Sequence, residues 1–243
     1  VTEVLFKSAP GVRPDFSGRD LTYLDLAGLD FKGAMLAKAD LYGVDLMSAN
    51  LSGVDLSEAR LDRAVLIRAN LSGANLSGAT IYRPTIYADL GASLEDAPKF
   101  AGATMRGVRV QAELSGADFR GADLTGADFH PLEDRPGEGT LATPYRNVLR
   151  SCDFSGARLE NADFRHAVLL FSRFTGADLR GARFEGADLS RVDFSGADLT
   201  GADIAGADLD DTNFAGAKGL ETVTGWGSVV NGERARGRGE REN

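Results

Sequence analysis

The stretch "ADFRHAVLLFSRFTGADLRGARFEGADL", residues 162–189, is written in five-residue words. A large apolar residue returns at every fifth position, and these centres alternate as Phe164, Leu169, Phe174, Leu179, Phe184 and Leu189. With the centre called i, position i−2 is small and usually Ala, i−1 is usually Asp or Asn, i+1 varies and i+2 is often Gly. The same words run from Phe16 to Ile81 with Ile86 as a further member, resume at Leu114, Phe119, Leu124 and Phe129, and continue from Leu149 to Phe214. A short fixed period means a stacked solenoid rather than a globule. Period five matches neither 3.6 nor 3.5, and frequent Gly and Asp disfavour helix.

Within a word, i−2 and i are two residues apart, so in an extended segment both face one side while i−1 faces the other. The next two residues turn the corner, and Gly at i+2 supplies the positive φ of a type II turn. The alternation fixes how many edges make one turn. With three edges, Leu stacks on Phe in every column; with four, each column is uniform and packs like on like without voids. Four edges are therefore expected.

At this point the chain resembles the pentapeptide repeat family, whose A-[DN]-[LF]-x-x words build a right-handed, four-sided β-helix. The resemblance covers residues 16 to 217. It implies an all-β fold, a right-handed quadrilateral β-helix of about nine coils and roughly 43 Å, with two extruded loops. The expected organisation is an N-terminal cap at 1–15, the β-helix at 16–217 with interruptions at 82–99 and 130–147, a C-terminal cap at 218–232 and a disordered tail at 233–243. Leu220, Val223, Trp226, Val229 and Val230 supply the C-terminal cap. After the first interruption Phe100, Met105 and Val110 follow at the right spacing, but Val110 to Leu114 is one residue short and predicts a distorted corner. In the second, Phe129 and Leu149 are twenty residues apart, yet the alternation demands Leu directly after Phe129. The coil is expected to pass straight from Phe129 to Leu149, with fifteen extra residues bulging out.

Residues 168 to 171 break the rule of one large apolar residue per word. Four edges per turn place them over residues 148 to 151, so Val148, Val168, Leu170 and Phe171 form a candidate outward apolar patch. It is covered either by the loop, through Leu132, Leu141 or Tyr145, or by a partner or dimer contact.

Nothing in the sequence points to catalysis. Cys152 is alone and at a small-residue position, so it reads as a buried hydrophobe and excludes an internal disulfide. His130 and His166 are isolated and give no metal-ligand spacing, and no cofactor motif is present. No apolar run approaches 18 residues and no charged-then-apolar leader is present, so neither membrane insertion nor secretion is predicted and a cytoplasmic location is expected.

What remains is surface charge. Formal net charge is −9. Asp at i−1 can bond local backbone, but Asn would serve equally, so the excess of Asp is not compelled by the fold. Asp188, Asp193, Asp198, Asp203, Asp208, Asp210 and Asp211 form an acidic zone near one end, and Asp15 to Asp55 another, with more basic zones between. Rows of carboxylates at ~4.8 Å would approach the charge density of a nucleic-acid strand.

The resemblance extends to family members that mimic DNA, bind DNA gyrase and protect it from topoisomerase poisons. It implies a non-catalytic protein-binding rod with DNA gyrase or another type II topoisomerase as partner, in a monomer or homodimer, and no direct nucleic-acid or membrane contact. Gly219, Gly225, Gly227 and Gly232 argue against the long C-terminal helix through which such members commonly dimerise. The alternative is a scaffold or assembly component that uses the loop and apolar patch, with acidity serving solubility.

Overall fold

The computed structural model describes residues 1–7, 12–87, 93–131 and 146–237. Its logic begins with the N–H groups of one word, Ala39-Asp40-Leu41-Tyr42-Gly43. Leu41 N–H donates to Arg60 O and Gly43 N–H to Asp62 O, each at 2.9 Å and toward the next turn. Asp40 N–H donates back to Arg19 O at 2.9 Å, and Ala39 N–H closes the corner on Leu36 O at 3.0 Å. The fifth donor, Tyr42 N–H, is taken by Asp40 Oδ1 at 3.1 Å. Every main-chain donor of the word is satisfied, as a fold made only of corners and short edges requires. This is why Asp or Asn recurs at i−1: its side chain accepts the one N–H that neither turn nor neighbour reaches.

The edges pair in parallel with the residue twenty further on, as Asp20 with Asp40, Asp40 with Arg60 and Asp188 with Asp208. Twenty residues in five-residue edges give four sides, and the fold is a β-helix solenoid. The i+2 residue has positive φ whether or not it is glycine: 64° at Gly43, 58° at Arg63 and 64° at Phe171. Corner geometry thus dictates the backbone, and glycine is merely the residue that adopts it without cost.

Inside, columns are uniform. Phe154 stacks on Phe174 with centroids 4.6 Å apart and planes at 6°, and Phe119 on Phe154 at 4.7 Å. Phe129, Phe164 and Phe184 form a second column. The two Phe columns come from opposite walls and meet edge to face, as Phe154 and Phe164 do at 5.8 Å. Leu fills the other two walls, and all these centres are buried. Each such side chain contributes about 1.5 to 3 kcal/mol. Cys152 lies in this core, where burial pushes its thiol up out of the reactive range. Its Sγ contacts Leu114 O at 3.2 Å.

Pairing also locates the irregularities. Asn70 pairs with Lys99, twenty-nine residues on, so nine extra residues enter there. The interruption is narrower than 82–99, because β1 (Thr80–Tyr82) pairs with β2 (Arg109–Gln111) and Ile86 is buried in the coil. Arg109 then pairs with Asp128 only nineteen residues away, which reflects the short corner between Val110 and Leu114. Glu113 pairs with Val148 thirty-five residues on, fifteen more than a turn. The path of residues 132–145, with Leu132, Leu141 and Tyr145, lies outside the described residues.

The expected interruption to residue 147 needs correction, because Asn147 is fully buried in the coil. The short corner lacks its i+2 residue, so Ala112 N–H cannot reach back to Val110 O as other corners do. Asn147 replaces the missing peptide group: its Oδ1 accepts from Ala112 N–H at 2.6 Å and its Nδ2 donates to Val110 O at 3.0 Å. The same Nδ2 donates to Phe129 O at 2.6 Å, closing the corner where the chain departs.

The ends differ in kind. At the start, α1 (Thr2–Lys7) buries Leu5 against the first turn, and Lys32 Nζ donates to Leu5 O at 2.8 Å. At the other end the word changes length. Lys218, Thr224, Val230 and Arg236 pair with Asp198, Asp203, Asp208 and Asn213, so the last edges are six residues long. Glycine replaces the large centre there: a Cβ at Gly225 would collide with the Ala205 backbone. Trp226 closes the core against Phe214, centroids 5.7 Å apart. The expected boundary at 232 is therefore too early: residues 233–236 complete the coil, because Arg236 pairs with Asn213 and Arg234 binds Asp210. Residues 238–243 lie outside the described residues.

Candidate protein interface

The acidic zones arise from the i−1 column positions. Asp188, Asp193, Asp198 and Asp203 each use Oδ1 to accept a main-chain N–H at 3.0 Å, from Ser190, Ser195, Thr200 and Ala205. Asp208 does the same for Asp210 N–H at 3.1 Å. The Thr200 hydroxyl and N–H hold the Asp198 carboxyl below the usual carboxylate value. Among the described residues none of these five makes an ion pair, and neither do Asp15, Asp20, Asp25, Asp30, Asp45 and Asp55.

Between the ends the carboxylates are largely neutralised. Asp118 binds Arg120 at 2.7 Å, Asp153 binds Arg173 at 3.3 Å, Asp163 binds Arg165 at 2.8 Å and Asp178 binds Arg180 at 2.8 Å. The Arg120 and Arg180 side chains keep the Asp118 and Asp178 carboxyls below their ordinary value.

Two expectations about the acidic surface are corrected. Asp210 and Asp211 belong to it by sequence, but Arg234 and Arg236 of the last coil pair with them at 2.6 and 3.0 Å. Nor do the carboxylates form long rows. Going up the columns, Asp178 and Asp198 are followed by Lys218, Asp128 and Asp163 by Arg183, and Asp118 and Asp153 by Arg173. Asp188, Asp193, Asp198 and Asp203 occupy the four sides in turn, so the acidic zone is a collar around the rod, not a rail along it.

Val148 pairs with Val168. Both are half-buried, as is Leu170, whereas Phe171 is 50% exposed. The Arg191 guanidinium lies over the Phe171 ring, 5.2 Å from its centroid. Phe171 also holds φ of 64° at a corner that favours glycine. Phe171→Gly is expected to raise unfolding free energy by about 1 kcal/mol, read by urea denaturation.

The repeat assigns the family. Residues 15–53, 45–81, 92–130, 148–181 and 177–216 match the model for pentapeptide repeats, in eight copies. The chain belongs to the pentapeptide repeat family. Among pentapeptide repeat proteins of known structure it is similar to HetL, involved in heterocyst differentiation regulation in the cyanobacterium Nostoc. That likeness is 29% identity over 97% of this chain and 93% of that one, with a TM-score of 0.38. It is also similar to QnrB1, a plasmid-mediated fluoroquinolone resistance protein, at 17% identity over 88% of this chain and 95% of that one, TM-score 0.41. A third pentapeptide repeat protein, Rfr23 from the cyanobacterium Cyanothece, is 21% identical over 51% of this chain and 89% of that one, TM-score 0.36. At these TM-scores the likenesses carry no argument about partners. Comparison with curated proteins gives no match. No helix of the described residues is long and apolar enough to cross a membrane.

Two side-chain groupings escaped sequence reasoning on this pentapeptide repeat chain. His130 and His166, read as isolated, stand on neighbouring turns with ring centroids 6.1 Å apart, although no group of three metal-binding side chains forms among the described residues. Tyr42, Asp62, Arg63, Tyr82, Arg83 and Gln111 line a surface groove of about 230 Å3. The signal was present as residues following successive centres on one side, visible only once the twenty-residue register and the nine-residue insertion are both applied.

Proposed function

We propose that the chain is a non-catalytic, partner-binding rod of about nine right-handed coils, roughly 43 Å long. Its acidic ends engage a basic groove of a DNA-handling enzyme, with DNA gyrase or another type II topoisomerase as the named candidate. The observation that carries this reading is the contrast in charge pairing. Carboxylates in the middle of the rod are bound to arginines of this chain, whereas Asp188, Asp193, Asp198, Asp203 and Asp208 have no such partner among the described residues. A collar of unpaired carboxylates offers long-range attraction to a cationic surface. The topoisomerase candidate rests on the family resemblance, and the interrupted columns restrict any mimicry of a phosphate backbone to the rod's ends.

The test uses purified protein in gyrase supercoiling and drug-induced cleavage assays. Reduced cleavage in the presence of a topoisomerase poison, with binding that weakens steeply as salt rises, supports the proposal. Normal cleavage together with no binding at moderate salt removes the topoisomerase candidate.

A second reading, a scaffold that docks through its apolar patch, is favoured by one observation. Phe171 is half exposed and kept in a backbone conformation that costs a bulky residue about 1 to 2 kcal/mol. Partner binding lost in Phe171→Gly and insensitive to salt supports this reading over the acidic collar.

A further inference from the structure

The groove on the second side of the coil has no role in either reading above. Tyr42, Asp62, Tyr82 and Gln111 each follow a core centre on successive turns, tied together by Gly43 N–H to Asp62 O, Arg63 N–H to Tyr82 O and Arg83 N–H to Gln111 O. The phenols are walls on either side of a shorter residue, with Asp62 between them. That carboxylate is already committed within the protein: Oδ1 accepts Tyr82 N–H at 3.1 Å and Oδ2 accepts Arg60 Nε–H at 3.0 Å. Arg60 in turn lies over the Tyr42 ring at 4.3 Å and pairs with Asp40 at 3.3 Å, so the Tyr42 wall is fixed in place.

Two features leave the groove open to a ligand. Gln111 is only 4% exposed, yet its carboxamide has no hydrogen-bond partner among the described residues. The carboxamide is not left buried and unpartnered but meets the solvent of the groove, where a ligand can reach its donor and acceptor. Arg63 makes no ion pair among the described residues and holds φ of 58° where most words use glycine. A guanidinium with no ion pair among the described residues, on the rim beside two phenols, provides attraction for an anion.

We propose that this groove binds a nucleoside monophosphate. The Arg63 guanidinium on the rim takes the phosphate; a phenol ring takes the flat base by stacking; and the Gln111 carboxamide reads a base edge through its paired donor and acceptor. Size and charge favour the mononucleotide over a polymer. The groove holds about 230 Å3, enough to seat part of one nucleotide, and a chain of net charge −9 repels an extended phosphate backbone.

Isothermal titration of the full chain at low salt with AMP, GMP, CMP, UMP and inorganic phosphate tests the site. At least one mononucleotide is expected to bind with 1:1 stoichiometry and about tenfold more tightly than phosphate. Arg63→Gly installs the residue that the corner backbone prefers, so it keeps the fold, and it should weaken that binding by about tenfold. Gln111→Ala should weaken it by a similar factor while leaving affinity for phosphate unchanged, with a thermal melt to verify folding of both variants. The proposal is overturned if no mononucleotide binds at millimolar concentration, if phosphate alone binds as tightly, if neither variant changes the affinity, or if a short single-stranded oligonucleotide binds more tightly than every mononucleotide.

Discussion

Replacing Asn147 by alanine is expected to destabilise the coil by about 3 to 5 kcal/mol, the largest effect of any single polar substitution in the core. The reason is that one carboxamide repairs two broken corners. Ala112 N–H, Val110 O and Phe129 O all depend on it, at 2.6, 3.0 and 2.6 Å, and Asn147 is 0% exposed. Alanine leaves a donor and two acceptors buried without partners, each at about 1 to 3 kcal/mol. Asn147→Asp is a sharper probe, since it keeps shape and acceptor while removing both donations and placing a charge beside two carbonyl oxygens. It should cost at least as much as alanine at neutral pH. Urea denaturation checks both, and a loss under about 1 kcal/mol in each would mean the junction is held by something else. Because thirty-five residues separate Glu113 from its pairing partner Val148, failure at this point should separate the two halves of the rod rather than fray one end.

The rod was legible because its deciding information is local. Each word carries its own turn residue, its own acceptor at i−1 and its own core centre, and the alternation of Phe154, Leu159, Phe164 and Leu169 reports the number of sides without any long-range knowledge. Lateral neighbours, by contrast, are twenty, twenty-nine, nineteen or thirty-five residues apart according to where the insertions and the deletion fall. An ion pair such as Asp153 with Arg173, or the stacking of Arg60 on Tyr42, appears only after that register is solved. For the same reason the acidic residues read as rows along the sequence but close into a collar in space.

Asn147 and the last coil escaped for a different reason: both break the word in order to preserve the coil. Asn147 sits at a position where the other words place a small apolar residue, so the pattern assigned it to the loop. In the last coil, Gly219, Gly225 and Gly237 stand where Leu or Phe is expected and each edge has one residue more. Val223 and Val229 keep the i−2 role, but the missing centres hide the period, and the charged composition after Asn231 hides Arg234 and Arg236 as ion-pair partners of the preceding turn.

Changing Asp188, Asp198 and Asp203 together to asparagine is expected to leave the coil intact and to weaken a charge-driven partner by about a hundredfold at low salt. Stability should hold because asparagine already performs the structural task in this chain. Asn50, Asn70, Asn75 and Asn213 accept the same N–H at 3.2, 3.2, 3.1 and 3.0 Å. The three aspartates give up no ion pair among the described residues on substitution, so unfolding free energy should move by less than about 0.5 kcal/mol per site. Binding should respond because each lost charge facing a cation at about 4 Å forfeits on the order of 1 kcal/mol even in water, and three such losses compound to about two factors of ten. The Asp198 carboxyl is held below its ordinary value by Thr200, so it is fully charged at assay pH and the effect cannot be mimicked by protonation. The triple variant should also flatten the salt dependence of the remaining affinity. If its affinity stays within about twofold of the parent at low salt while Phe171→Gly abolishes binding, the collar is a solubility device and the apolar patch is the working surface.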